Sequence, residues 1–193
     1  MTWAIILAAG ESRRMGTQKL LLPYGETTVI ETVVGKALDS GLDQVLVVLG
    51  ADRDAVRARL EKYPLKIVTN TNYHQGMLSS VQAGFAALPA DAAAAVIMLG
   101  DQPAVPTSAI RTVAREARET GKGIIIPTCG GHRGHPVLIS ARYAPAVAVL
   151  DPSIGLRQLR LEHAGDVLEV EVGDPAVLRD LDTPEDYEGE KRG

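Results

Sequence analysis

One cysteine, Cys129, stands among 193 residues. An internal disulfide and a cysteine-based zinc site are therefore excluded, and since no Ser/Cys-His-Asp spacing surrounds it, Cys129 reads as an incidental thiol. Aromatic residues are scarce, 4% against a hydrophobic content of 46%. Val, Ile, Leu and Ala must fill the core, the usual make-up of a parallel sheet covered by helices. There is no cationic excess: net charge is −4 and the basic residues are dispersed, which excludes an extended nucleic-acid face. No run approaches the roughly 18 apolar residues of a membrane span, and Met1-Thr2-Trp3 leads into a strand without a charged leader or cleavage site. The expectation is a cytoplasmic protein with neither nucleic acid nor membrane as partner, folded as a single domain over residues 1–193.

Two familiar phosphate loops are also missing. Five residues separate Gly10 from Gly16 and no Lys-Ser/Thr follows, so the Walker spacing fails; a dinucleotide fingerprint needs glycine where Ser12 stands. What the chain does have is W-A-I-I-L-A-A-G-E-S-R-R-M-G-T-Q-K-L-L-L-P from Trp3 to Pro23. The apolar Ala4 to Leu7 run reads as a buried strand emptying into a loop of small residues, Ala8, Ala9 and Gly10, where a ligand can approach main-chain N–H donors. Gly10 is also expected to permit a turn that other residues resist. Arg13, Arg14 and Lys19 bring positive charge to the same loop, which suits a polyphosphate.

Strand and helix periods then alternate. Val29, Ile30, Val33, Val34 and Ala37 mark one helix face after Thr27-Thr28; Gln44 to Leu49 is a short buried strand, and Asp52 is placed to cap the helix carrying Val56 and Leu60. Leu65 to Thr69 is a third strand, followed by a polar loop and a helix with Leu78, Val81 and Phe85 inward. Ala94 to Leu99 is a fourth strand, Pro106 starts a helix, and Gly123 to Pro127 and Pro136 to Ser140 read as two strands. Helices are expected over Arg142 to Leu150 and Ile154 to His163, interrupted in pattern by Pro145 and Gly155. Val167 to Val172 alternates apolar and acidic residues, as a half-exposed, antiparallel strand does. Thr183, Pro184 and Asp186 make a helix start just after Asp182. The pattern implies right-handed βαβ units and an α/β fold: a three-layer α/β/α, mostly parallel, Rossmann-like sheet, whose ligands bind beyond the strands' carboxyl ends.

Asp101 follows strand residues and should stand at that edge, where a hard carboxylate suits Mg²⁺. Asp182 is the second carboxylate, with Asp180 two residues earlier as the alternative. Read singly, Asp101 is equally a turn former and Asp182 a helix-entry residue.

A-A-G-E-S-R-R-M-G-x-x-K-L-L-L-P, G-D-Q-P, R-G-H-P-V and L-D-T-P-E-D-Y occur in this order. Together they resemble the nucleotidyltransferases that load a nucleotide onto the molybdenum cofactor, specifically the cytidylyltransferase branch, whose fold is that of the nucleotide-diphospho-sugar transferases. The resemblance implies a loop Leu7, Ala8, Ala9, Gly10, Arg14 and Lys19 around the triphosphate of CTP (or GTP), and catalytic roles for Arg14, Lys19 and Asp101. It implies Mg²⁺ as cofactor on Asp101 and Asp182. N-x-x-Y-x-x-G-M-L-S-S-V-x-A resembles the family's base loop, carried by Asn70, Gly76, Ser79 and Ser80 with Asn72 beside them; Tyr73 either covers the base or packs at the loop root. His132, Arg133 and His135 fall in the acceptor-side segment, with a backbone-bonded turn histidine as the other reading of His135. Ala9 stands where the guanylyltransferase branch has a second glycine, which favours cytosine. The implied partners are molybdopterin or the molybdenum cofactor and a client molybdoenzyme or its chaperone. A guanylyltransferase, a transferase for another phosphorylated acceptor, and a non-catalytic maturation chaperone are the alternatives.

Overall fold

The first strand (β1, Thr2–Ala8) divides the core by its alternation. Ala4, Ile6 and Ala8 enter one buried layer, and Trp3, Ile5 and Leu7 the other, as a strand covered on both faces must. The computed structural model, which describes residues 1–190, shows what covers them. A two-strand hairpin of β2 (Pro23–Tyr24) and β3 (Thr27–Thr28) leads into α1 (Val29–Leu38). Thr28 and Glu31 form a reciprocal capping box there, satisfying donors that a helix start otherwise leaves unpaired.

The order continues β4 (Gln44–Leu49), α2 (Arg53–Leu60), β5 (Lys66–Thr69), α3 (Met77–Ala86), β6 (Ala94–Leu99) and α4 (Thr107–Thr120). Then come β7 (Ile124–Cys129), β8 (His132–Arg133), β9 (Val137–Ser140), α5 (Ala144–Ala148), α6 (Leu156–Glu162), β10 (Val167–Glu171) and α7 (Pro184–Glu190). The sheet order is β10-β7-β9-β6-β1-β4-β5, with β8 folded back on β7. Val29 and Ile30 of α1, Leu60 of α2, Ile110 of α4 and Tyr187 of α7 bury one face. Phe85 of α3, Val147 of α5 and Leu159 of α6 bury the other. The expected three-layer, mostly parallel α/β/α sheet is what forms.

Four local readings are corrected. β10 pairs with β7 in parallel, Val167 opposite Ile124 through Glu171 opposite Thr128; its alternation reflects its place at the sheet edge, which leaves one face partly wet whatever the direction of pairing. The reversed strand is β9, antiparallel to both β6 and β7. The helices expected over 142–150 and 154–163 are shorter. Pro145 sits in the first turn of α5, where its missing N–H costs nothing, and Gly155, at φ 67, is the turn before α6. Pro106 lies one residue outside α4, in extended conformation. Asp52 precedes α2 but makes no capping bond; its φ is 50, and its carboxylate accepts from Gln18 Nε2 at 3.0 Å.

Because β1, β4, β5, β6 and β7 all run the same way, the loops after them meet at one edge. The approach is close: a Cβ on Gly50, after β4, would lie 2.7 Å from the Ala9 carbonyl oxygen, and Ala51 N–H donates to that oxygen at 3.2 Å.

Candidate active site

Beyond β1 the chain turns through Ser12, at φ 51, into a single 3-10 turn, Arg13–Met15, and Gly16, at φ 66. Gly10 is not in the left-handed region, which corrects the expectation of a special turn there. A Cβ on it would meet nothing within 4 Å, so its bareness leaves room beside the loop rather than relieving strain. The N–H groups of Glu11, Ser12, Arg13 and Arg14 donate to no acceptor among the described residues. A row of unpaired N–H groups is a ready anion cradle.

The loop is braced from outside. Ser12 Oγ donates to Gln18 Oε1 at 2.9 Å and accepts from Lys19 N–H at 3.2 Å, and Gln18 Nε2 reaches Asp52. Buried Leu20, one residue on, pins the turn Lys19–Leu21 to the core. Lys19 is thereby aimed across the edge. Its Nζ stands 2.5 Å from Asp101 Oδ2 and 3.0 Å from Asp182 Oδ1, and Asp182 Oδ2 takes Arg14 at 2.9 Å. Burial pulls the Lys19 ammonium's pKa down, but Asp101 and Asp182 more than offset it and hold the group above the ordinary lysine value. Arg14 is 71% exposed, so its pair contributes at most about 1 kcal/mol and the side chain is free to turn to another anion.

Asp101 follows β6 directly. Its carbonyl accepts Leu181 N–H at 3.0 Å, tying the Asp180–Asp182 segment to it. Asp180 Oδ1 accepts from Gln102 Nε2 at 2.6 Å, and burial, then the Asp101 charge, push its carboxyl above the usual range. Among the described residues no three His, Cys, Asp or Glu side chains converge as a metal cage. A pair of carboxylates already sharing one cation suits a Mg²⁺-type ion, which takes one or two protein carboxylates and completes its shell with water and phosphate.

A cavity of about 340 Å³ contains the loop, Lys19, Asp101 and Asp182, and one of about 590 Å³ continues from it to Tyr73, Gly76 and Ser80. The structure thus brings together Leu7, Ala8, Ala9, Gly10, Arg14, Lys19, Gly76, Ser80, Asp101 and Asp182. Asn70, Asn72 and Ser79 instead line a neighbouring cavity of about 370 Å³. Asn70 is buried and committed: Nδ2 donates to Ser79 Oγ at 2.8 Å and Ser80 Oγ at 3.0 Å, and Oδ1 accepts Asn72 N–H at 2.9 Å. It clamps the loop after β5 to the start of α3. Gln18 and Gln102 carry no sequence signal of their own, and the contact of Gln18 with Asp52 and of Gln102 with Asp180 joins residues too far apart along the chain for spacing to show.

His132 and Arg133 lie on exposed β8, outside that cavity, with Arg133 paired to Glu169 at 2.7 Å. His135 is half-buried, and its N–H donates to Val177 O at 2.9 Å. Burial pushes its imidazole down to about 4, against a small upward pull from Asp101. The unfolded chain therefore binds a proton that the folded one refuses between pH 6.5 and about 4, and stability falls as pH falls through that window, by up to about 3 kcal/mol. Denaturant melts of His135→Gln should show that part of the acid dependence gone; identical acid profiles for variant and parent would refute the assignment.

An ammonium held between two carboxylates beside a row of free N–H donors is a place for a polyphosphate, on a scaffold whose ligands bind beyond the strand ends. The class is a nucleotide-handling α/β enzyme. The model of the MobA-like NTP transferase domain matches residues 4–167; the chain belongs to that family, and so to the nucleotidyltransferases. Molybdenum cofactor cytidylyltransferase of Escherichia coli K12 is 30% identical over 95% of this chain and 92% of its own. Nicotine blue oxidoreductase of Paenarthrobacter nicotinovorans is 33% identical over 94% and 92%. A probable molybdenum cofactor guanylyltransferase of Mycobacterium marinum is 26% identical over 94% and 89%. Among solved structures, Rv0371c of Mycobacterium tuberculosis H37Rv has a TM-score of 0.88 at 30% identity, covering 100% of this chain and 97% of that one. A complex of Rv0371c with manganese has also been solved, with a TM-score of 0.84 at 28% identity, covering 100% and 98%.

Proposed function

We propose that this chain transfers CMP from CTP to the terminal phosphate of molybdopterin or the molybdenum cofactor, in the cytoplasm, as one domain spanning the whole chain. The observation that carries the reading is Lys19 seated between Asp101 and Asp182 next to the unpaired N–H groups of residues 11–14. An incoming triphosphate gives the ammonium a better partner than two carboxylates it must share. Gly10, Arg14 and Lys19 then hold the β- and γ-phosphates; Asp101 and Asp182 would hold a divalent ion, which would supply charge neutralisation at the α-phosphate. An oxygen of the acceptor's phosphate forms the new bond to the α-phosphorus as the bond to the β-phosphate oxygen breaks, and pyrophosphate leaves. The nucleophile is already an anion, so no general base is needed; the chain's work is positioning and charge stabilisation.

Gly76 and Ser80 share the nucleotide cavity, and Asn70, with Asn72 and Ser79, keeps their loop in place for the base. Tyr73 lines the same cavity, at a position to cover the base. His132, Arg133 and His135 belong to the acceptor side. The preference for cytosine is supported by the cytidylyltransferase relative and by Ala9 in place of a second glycine; the guanylyltransferase relatives make GTP the competing base. Lys19, Asp101 and Asp182 have a direct use in nucleotidyl transfer, which favours that activity over the one named by the nicotine blue oxidoreductase relative. Pyrophosphate release with Mg²⁺ and molybdopterin tests the base: the expected result is release with CTP and at least about tenfold less at equal GTP, the size of one lost hydrogen-bonded contact. Faster release with GTP would overturn the cytidylyl assignment and leave the phosphate site intact.

A further inference from the structure

On the α6 side of the sheet, a cavity of about 190 Å³ separates β7 and β9 from α6. Ile124, Ile126 and Ile139 form its apolar wall. That volume is below the about 300 Å³ at which whole-ligand pockets begin, so it suits one ring system of a larger molecule. Arg157 and Arg160, three residues apart on α6, face the same space. Neither meets a carboxylate among the described residues, whereas Arg133 at the mouth is paired with Glu169. His135 lines the cavity, and its neighbour Pro136 meets Leu99 and Gln102, the residues on either side of Gly100-Asp101, so the cavity lies next to the end of β6 that carries Asp101. Two guanidinium groups without a partner among the described residues, over an apolar wall, match a flat ring with hydrogen-bond acceptors at its edge, since arginine both stacks on planar groups and donates paired hydrogen bonds to a neighbouring carbonyl and ring nitrogen.

We infer that this cavity receives the fused ring system of the acceptor, with Arg157 and Arg160 donating to the carbonyl and ring-nitrogen edge of that ring while the acceptor's phosphate reaches Asp101. The inference rests on the acceptor reading above and assigns binding to α6, outside the R-G-H-P segment. Both arginines lie away from the proposed nucleotide site, so their loss weakens acceptor binding and leaves CTP binding alone.

The test is equilibrium binding of molybdopterin and of CTP, each by calorimetry, to the parent, R157A/R160A and R157K/R160K. The double alanine variant should bind molybdopterin about 10- to 100-fold more weakly, with CTP affinity unchanged and the lysine variant between. Equal molybdopterin affinity in parent and double alanine variant would overturn the inference and leave the proposed acceptor standing. A parent that binds CTP but not molybdopterin would overturn both. Thermal melts matching the parent exclude misfolding of these surface variants as the cause.

Discussion

Asp101→Asn is expected to lower kcat/KM for pyrophosphate release by about a thousandfold, the scale on which removal of a charge-stabilising group acts in a preorganised site. The substitution keeps the shape and removes only charge. Asp101 reaches its position through backbone, β6 behind it and the Leu181 N–H on its carbonyl, and neither depends on the carboxylate. What changes is the cluster: Lys19 keeps Asp182 alone, and Asp180 loses one of the charges that push its carboxyl up. The half-buried Lys19 has lost a partner, so stability drops by about 1 to 3 kcal/mol while the fold persists. A cooperative melt beside lost activity is the expected pair of results; an Asp101→Asn enzyme retaining a tenth of parental kcat/KM would remove Asp101 from the chemistry.

Lys19→Ala is expected to have an effect of similar size on turnover, about 100- to 1000-fold, with a second consequence that can be read without substrate. In the structure the ammonium sits between Asp101 and Asp182, the position a divalent cation needs. Without it the two carboxylates repel, and Mn²⁺ relieves that repulsion. In the absence of nucleotide, Lys19→Ala should therefore bind Mn²⁺ more tightly than the parent, by calorimetry or paramagnetic relaxation, while CTP binds more weakly. Unchanged Mn²⁺ affinity would mean that the ion does not share this pair of carboxylates. Lys19→Arg should not rescue turnover, because a planar fork cannot replace a compact ammonium between two oxygens.

The fold was legible where one period dominates. β1, β4 and β6 are apolar runs buried on both faces, and α1 shows its stripe and its threonine cap in the letters themselves. Asp101 was legible because it ends a strand, and Asp182 because the Thr-Pro helix start fixes its place. Their sharing of Lys19 was not, since Lys19 and Asp182 are 163 residues apart; only the sheet topology joins them. The direction of β10 is not legible in the sequence, because alternation records which face is wet, not which way the neighbour runs. Ser12 and Asp52 escaped because left-handed backbone at non-glycine residues is held by outside contacts, here through Gln18. Asn70 is legible as a member of the base loop, but its three hydrogen bonds to Ser79, Ser80 and Asn72 are not, because they depend on how that loop folds.

The most direct measurement is the fate of the α-phosphate. The protein is incubated with Mg²⁺, molybdopterin and CTP labelled at that phosphate, the products are separated, and Asp101→Asn serves as control. Label is expected in a molybdopterin–CMP dinucleotide, one for each pyrophosphate released, and none with the variant. Label left in CTP or appearing as free CMP, with unmodified molybdopterin recovered, would contradict the proposed transfer.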